Sequence, residues 1–236
     1  MTGFLETQLA VVTGASRGIG AATAVALARE GAHVVLTGRD AAGLEAVEDR
    51  IHEFGGSATI APMDLTEPDS IAKLALAVSG RWHALDLLFL NAAMLGTLTP
   101  VAQIDGKEFN RLLTLNLLSQ QALIAAFDPM MRRSPGARLI GITSGVAQRP
   151  RAYWGAYGAS KAALEALLLS HAEEVGNISA IKVAIVNPGP TATEMRARAF
   201  PGEDPATLKT PDDVAAAMVE MLRADFETGY RLEVQG

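Results

Sequence analysis

The sequence predicts an α/β fold: a single doubly wound domain with a parallel seven-stranded sheet and helices on both faces. Three observations predict it. Short apolar, β-branched runs alternate with helix-length stretches along the 236 residues, as repeated strand–helix–strand units require. The first of these runs feeds directly into a glycine-rich turn that opens a helix. The chain is 49% hydrophobic, enough to fill one large core, and no linker, short repeat or low-complexity tract divides it, so one domain over 1–236 is expected.

Strands are expected at 9–13, 33–37, 57–63, 86–91, 138–143, 182–187 and 229–234. The first, Leu9-Ala10-Val11-Val12-Thr13, runs into Gly14-Ala15-Ser16-Arg17-Gly18-Ile19-Gly20, and an alanine-rich helical stretch follows at 21–30. Glycines let the backbone turn tightly and approach a pyrophosphate, and a helix N-terminus offers free N–H groups and the positive end of a dipole. The spacing is Gly-x-x-x-Gly-x-Gly, not the Gly-x-Gly-x-x-Gly of many two-domain dehydrogenases. The loop is expected to hold the phosphates of a dinucleotide.

The second strand ends in Thr37-Gly38-Arg39-Asp40. Folds selective for NAD place an acidic side chain near this point to hold the ribose 2′-hydroxyl. Here Thr37 and Gly38 occupy that neighbourhood, Arg39 follows, and Arg17 lies within the glycine loop. Two guanidinium groups suit a 2′-phosphate, so NADP(H) is expected ahead of NAD(H). In the competing reading Arg39 is a solvated turn residue and Asp40 caps the next helix.

Tyr157 and Lys161 stand four apart in Tyr153-Trp154-Gly155-Ala156-Tyr157-Gly158-Ala159-Ser160-Lys161. On a helix they share one face. An ammonium beside a phenol favours the phenolate and lowers the tyrosine pKa from about 10. That gives a proton donor and acceptor suited to carbonyl reduction or alcohol oxidation. Of the three tyrosines only Tyr157 has a lysine four residues on, so it is the expected general acid, while Tyr153 is expected to line the substrate cleft or pack. Ser144 ends an apolar strand, where its hydroxyl can either bond a substrate oxygen as charge develops or cap a turn. Asn116 lies in the otherwise apolar stretch 109–118. A buried amide must be hydrogen-bonded, which a neighbouring core carbonyl would also satisfy.

Together these motifs resemble the short-chain dehydrogenase/reductase family, in its single-domain, Rossmann-type branch, from about Leu5 to Gly236. The segment from Thr13 through Gly14, Ser16, Arg17, Gly18, Ile19 and Gly20 is similar to the family's cofactor loop. Asp64-Leu65 is similar to the pair that flanks the adenine, and Asn91-Ala92-Ala93 resembles the Asn-Ala-Gly motif that ends the fourth strand. Asn116, Ser144, Tyr157 and Lys161 match the four catalytic positions. Asn187-Pro188-Gly189, with Thr191 and Thr193, looks like the motif on the nicotinamide side. The resemblance implies that Lys161 also holds the nicotinamide ribose, and that Asn116 holds a water linking Lys161 to solvent in a proton relay. The cofactor would carry the hydride, and the protein would supply position and electrostatics. The stretches 151–161 and 199–214 look most like YciK-type bacterial oxidoreductases. There are two departures: Ala93 stands where glycine is usual, and Leu90 stands where a second asparagine is common. A small shift of that loop is expected. The sequence ends soon after Val234, so no substrate-pocket role of a longer tail is carried over.

The net charge is −6 without a basic stripe, which argues against a nucleic-acid partner. No apolar run reaches the roughly 18 residues that span a bilayer, and no basic-then-apolar leader opens the sequence. Zero cysteines leave no disulfide or thiolate chemistry, and a cytoplasmic enzyme is expected. His33, His52, His83 and His171 make no ligand pattern, so no metal is expected. The stretches 109–127 and 159–169 are apolar nearly all round and need cover on every side. In the family the matching helices pair across a twofold axis, so a homodimer or homotetramer is expected. The segment 191–210, with Pro201, Gly202 and Pro205 around Met195 and Phe200, reads as a mobile lid with an apolar inner face. Arg149 and Arg151 fall at the expected cleft mouth, either to meet an anionic substrate group or to stand solvated.

The expected function is an NAD(P)(H)-dependent, NADPH-preferring oxidoreductase acting on a small or medium carbonyl or secondary alcohol. An NADP(H)-binding sensor or scaffold without turnover is the alternative. A nucleotide-sugar epimerase or dehydratase fits less well, since such enzymes need a larger substrate domain than follows Pro188.

Overall fold

The computed structural model describes residues 3–235, so Gly236 and the extreme end of the expected resemblance lie outside it. Seven parallel strands form one sheet in the order β3-β2-β1-β4-β5-β6-β7. They are β1 (Leu9–Thr13), β2 (His33–Gly38), β3 (Ser57–Pro62), β4 (Leu87–Leu90), β5 (Arg138–Ile142), β6 (Lys182–Asn187) and β7 (Tyr230–Glu233). Every residue of β1 and β4 is buried. Strands covered on both faces read as unbroken apolar runs, which is what the sequence shows there.

Alternate side chains divide between two cores. Ala10, Val12, Val34 and Leu36 pack against α1 (Gly18–Arg29), α2 (Ala41–His52) and α8 (Pro211–Ala224). Val11, Val35, Leu88 and Leu139 pack on the opposite face against α3 (Ser70–Ser79), α5 (Ser119–Met131) and α6 (Gly155–Val175). Of the remaining helices, α4 (Gly106–Leu113) packs beside α6, and α7 (Glu194–Ala199) borders the crevice beyond the carboxyl ends of the strands. β1 lies between β2 and β4, so the chain leaves β1 and β4 in opposite directions. Such a switch opens a crevice beyond the strand ends, where ligands bind in open α/β sheets.

Several boundaries differ from expectation by one to three residues. Asp86 and Asn91 fall just outside β4, because each spends itself on β1: Asp86 Oδ2 accepts from Leu9 N at 2.8 Å, and Asn91 N donates to Thr13 Oγ1 at 3.0 Å. α1 begins at Gly18, three residues earlier than expected, because the loop's last glycines already form its first turn. The expected apolar helix over 109–127 is two α-helices joined by a π-helical turn, Thr114–Leu118. Asn110 and Arg111 in its first part are polar, so apolarity all round holds only beyond them. No helix among the described residues is long and apolar enough to cross a membrane.

Candidate active site

A cavity of about 1170 Å³ fills the crevice. This is larger than the roughly 300–1,000 Å³ of ordinary small-molecule sites and has room for a dinucleotide and a second ligand. Its lining brings together nearly every residue singled out from the sequence. Gly14, Ser16, Arg17, Gly18, Ile19, Arg39, Asp64 and Leu65 form one end, Asn91, Ala92 and Ala93 the floor, and Ser144, Tyr157, Lys161, Pro188, Gly189 and Thr191 the other end, while Thr193 reaches back to the glycine loop, 3.6 Å from where a Cβ on Gly18 would lie. Gly20 and Asn116 do not line it.

The glycine loop fits a pyrophosphate on two observations. Gly14 and Gly18 adopt φ of 64° and 56°, a conformation that glycine takes without strain. The N-terminus of α1 has no side-chain cap and no acidic residue in its first turn, whereas α2, α4, α7 and α8 are each capped by an Asp or Thr side chain. Uncapped N–H groups facing a cavity are an anion site. A Cβ on Gly20 would lie 2.3 Å from Gly14 O and 2.5 Å from Asn91 Nδ2, so its role is to let α1 press against the loop. Asn91 holds the other side, donating from Nδ2 to Thr13 O at 2.9 Å and Gly14 O at 3.2 Å. Thr13 Oγ1 accepts from both Asn91 N and Ala92 N at 3.0 Å and donates to Phe89 O. Thr13 was missed as a positioning residue although it heads the motif. Ala93 is not among the residues with positive φ, so its methyl meets no backbone strain.

The two arginines of the expected phosphate clamp engage different carboxylates. Arg17 pairs with Glu194 at 2.8 Å, and Arg39 lies 3.8 Å from Asp64. Asp40 caps α2 by accepting from Gly43 N at 3.1 Å, as the competing reading had it. Two bonds from Thr66 and the nearby Arg39 and Arg111 outweigh partial burial and hold the Asp64 carboxyl below its usual range.

Tyr157, Ser160 and Lys161 sit on the buried face of α6. Lys161 Nζ donates to Ile142 O at 2.8 Å and lies 6.0 Å from the Tyr157 ring centroid. Burial pushes the Tyr157 phenol up to about 12 and the Lys161 ammonium down to about 8, the latter opposed by the Glu165 carboxylate. The expected lowering of the tyrosine pKa is therefore corrected for this arrangement. Desolvation exceeds an attraction acting from 6.0 Å, because the ammonium is turned toward a strand carbonyl.

Ser144 is extended at φ −157° and makes no side-chain cap to the 3-10 turn Gly145–Ala147, so the turn-capping reading does not hold and its hydroxyl faces the cavity. Asn116, fully buried in the π-turn, accepts from Met94 N at 2.8 Å and donates to Met94 O at 2.9 Å and Ser160 Oγ at 3.1 Å. Both amide hydrogens are taken, so a water could meet only the second lone pair of Oδ1 or the backbone. Carbonyls of the π-turn are satisfied by Ser119, which donates to Thr114 O at 2.8 Å, and Gln120, which donates to Leu115 O at 2.8 Å.

Tyr153 neither lines the cavity nor packs: its φ of 72° turns it outward and leaves it 59% exposed. Trp154 takes the expected place, edge-on to Tyr157 at 5.9 Å between ring centroids. Sequence reasoning also missed Glu165, only 5% exposed, which accepts from Thr143 Oγ1 at 2.6 Å and pairs with Arg231 at 2.7 Å. The same four-residue step that links Tyr157 to Lys161 leads on to Glu165 and could have found it.

Residues 8–204 match the short chain dehydrogenase family. The oxidoreductase YciK of Escherichia coli (strain K12) is 33% identical over 236 residues, covering 98% of this chain and 93% of that protein. A short chain dehydrogenase from Pseudomonas syringae superposes with a TM-score of 0.95 at 34% identity, covering 100% of this chain and 97% of that one. Another from Shigella flexneri 2a, complexed with NADP, gives 0.94 at 33% identity and covers 100% of both chains. With the glycine loop, the serine, the tyrosine and the lysine gathered in one cavity, the chain belongs to the short-chain dehydrogenase/reductase family of NAD(P)-dependent oxidoreductases.

Proposed function

We propose that the protein is an NADPH-preferring reductase of a small or medium carbonyl compound, with Ser144, Tyr157 and Lys161 as its catalytic group and Asn116 as a positioning residue behind them. The observation that carries this reading is the meeting of the Ser144 hydroxyl, the Tyr157 phenol and the Lys161 ammonium in a cavity headed by an uncapped helix N-terminus. The relative complexed with NADP supports the cofactor.

The loop backbone at Gly14, Ser16, Gly18 and Ile19 would hold the pyrophosphate, and Arg17 and Arg39 the 2′-phosphate. Asp64 and Leu65 would flank the adenine. Asn91, Ala92, Ala93, Pro188, Gly189, Thr191 and Thr193 would border the nicotinamide half. When bound, the cofactor supplies the hydride. Ser144 donates to the substrate oxygen and steadies the developing charge. Tyr157 donates the proton to that oxygen, and burial keeps the phenol protonated at neutral pH, ready for reduction. Lys161, pulled near neutrality by burial, returns a proton to Tyr157. Asn116 holds the 94 loop and α6 in register through Met94 and Ser160.

The segment 191–210 acts as the lid. Its ends are stapled where Ala192 N donates to Lys209 O at 2.9 Å, and its inner face presents Met195 and Ala199 toward Leu95, Val146 and Tyr157. Exposed Leu118, Ala125, Ala159 and Ala166 on the outer sides of the π-turn, α5 and α6 support a homodimer or homotetramer. The cytoplasm is the setting this chemistry calls for.

Titration with NADPH and NADH by nicotinamide fluorescence, followed by a carbonyl panel with the native protein and Tyr157→Phe, tests the reading. Tight NADPH binding with turnover lost in the variant supports it. Binding without turnover on any member would favour a sensor.

A further inference from the structure

We propose that the substrate carries an anionic group, a carboxylate or a phosphate, separated from its reacting carbonyl by an apolar or aromatic body. This rests on the reading above that Tyr157 protonates a carbonyl oxygen. The first observation is the uneven charge of the cavity. Its three lining carboxylates, Asp40, Asp64 and Glu194, all lie at the cofactor end or its edge, and Glu194 is already paired with Arg17. The substrate end is lined by Arg149, Arg151, Arg196 and Arg198 and by no carboxylate. Arg196 is held from outside the lining by Glu203, at 2.5 and 2.6 Å in a two-pronged pair. Arg149, Arg151 and Arg198 make no ion pair among the described residues. In a chain of net charge −6, three uncommitted guanidiniums at one mouth form a local positive field that draws anions.

The second observation is how the phenol and the guanidiniums are joined. Trp154 stands edge-on to Tyr157 at 5.9 Å, Phe200 stacks on Trp154 at 5.7 Å, and the Arg151 guanidinium lies over Phe200 at 5.6 Å. Arg196 packs on the same ring at 3.8 Å and, through Glu203, fixes Phe200 in place. Tyr157, Trp154 and Arg151 line the cavity, whereas Phe200 does not; Phe200 braces Trp154 and the Arg151 guanidinium from outside the lining, so phenol, indole and guanidinium stand at a fixed spacing. Leu95, Val146, Met195 and Ala199 complete the apolar surround of Tyr157. An apolar body laid against Trp154, with its carbonyl at Ser144 and Tyr157, presents its far end to Arg151 and Arg149. A planar guanidinium fork binds either carboxylate or phosphate oxygens.

The test is a set of para-substituted aromatic aldehydes that bear a methyl ester, a carboxylate or a phosphate at the far end, each with and without a two-carbon spacer. Reduction by NADPH is followed at low and high salt. The expected result is a kcat/KM for the anionic members about tenfold or more above the ester, shrinking with added salt. Arg151→Gln and Arg149→Gln should each collapse that ratio. The order of carboxylate and phosphate names the group. NADPH titration reports whether each variant is folded, and the salt dependence of the unaltered enzyme needs no variant. Reduction of the ester as fast as the anions, or a ratio that ignores both salt and the arginine changes, overturns the inference while leaving Tyr157-dependent reduction standing. If no aldehyde is reduced although NADPH binds, the parent reading fails and this inference with it.

Discussion

Thr143 and Glu165 are joined by a short hydrogen bond: the threonine hydroxyl, at the end of β5, donates to a carboxylate oxygen on α6 at 2.6 Å. The neighbouring carbonyl, Ile142 O, accepts from Lys161 Nζ. One strand end therefore holds both the candidate proton-carrying lysine and the carboxylate that opposes its loss of charge. Arg231, on β7, completes the group at 2.7 Å from Glu165.

Replacing Glu165 by Gln keeps the shape and removes the charge. Lys161 should then lose its proton at lower pH, since the only influence opposing its desolvation is gone. The pH profile of kcat is expected to shift its basic limb to lower pH, with Glu165→Asp restoring part of the shift. A purely structural role would lower stability and leave the profile where it was.

Lys161 itself costs stability below its folded pKa. Its pKa falls from 10.5 to about 8 on folding, so between these values the unfolded chain binds more protons and stability rises with pH. Tyr157 acts oppositely: raised from 10.0 to about 12, it contributes stability that is lost as pH climbs through that range. Lys161→Met should raise the Tm at pH 7 by several degrees, corresponding to at most about 3 kcal/mol, and abolish turnover. The gain should shrink as pH rises through about 8 and vanish above 10.5. A variant less stable than the parent at pH 7 would contradict the buried-charge argument.

Gly20→Ala forces a methyl into Gly14 O and Asn91 Nδ2. It should destabilise by about 1–3 kcal/mol and abolish NADPH binding. Gly55→Ala, at φ 78° with open space around it, should cost about 1–2 kcal/mol of backbone strain and keep NADPH binding. Thermal melts and fluorescence titration check both. Retained binding in Gly20→Ala would mean that α1 can retreat from the loop without harm.

Arg39→Gln should weaken NADPH about tenfold or more while leaving NADH little changed, because the charged bond to a 2′-phosphate is lost. Equal weakening of both cofactors would assign Arg39 to general folding of the β2 turn, through its partner Asp64.

The strand–loop–helix start, the sheet and the gathering of Ser144, Tyr157 and Lys161 were legible because each rests on local pattern: period, glycine spacing and a four-residue step. What was not legible depends on where side chains end up. Lys161 turns to Ile142 O, and that choice reverses the expected tyrosine shift. The π-turn at Asn116 arises from the pairings of Ser119, Gln120 and Met94, which no helical period announces. Trp154 takes the place expected of Tyr153 because a positive φ swings Tyr153 outward. The Glu165–Arg231 pair spans α6 and β7 and follows only from the sheet order.

The most direct measurement follows deuterium from nicotinamide-labelled NADPH into the alcohol product of a reduced carbonyl, comparing the native protein with Tyr157→Phe. Label transfer by the native protein, lost in a variant that still binds NADPH with similar affinity, is the predicted result. Equal transfer by both proteins, or no transfer to any carbonyl despite firm NADPH binding, would contradict it.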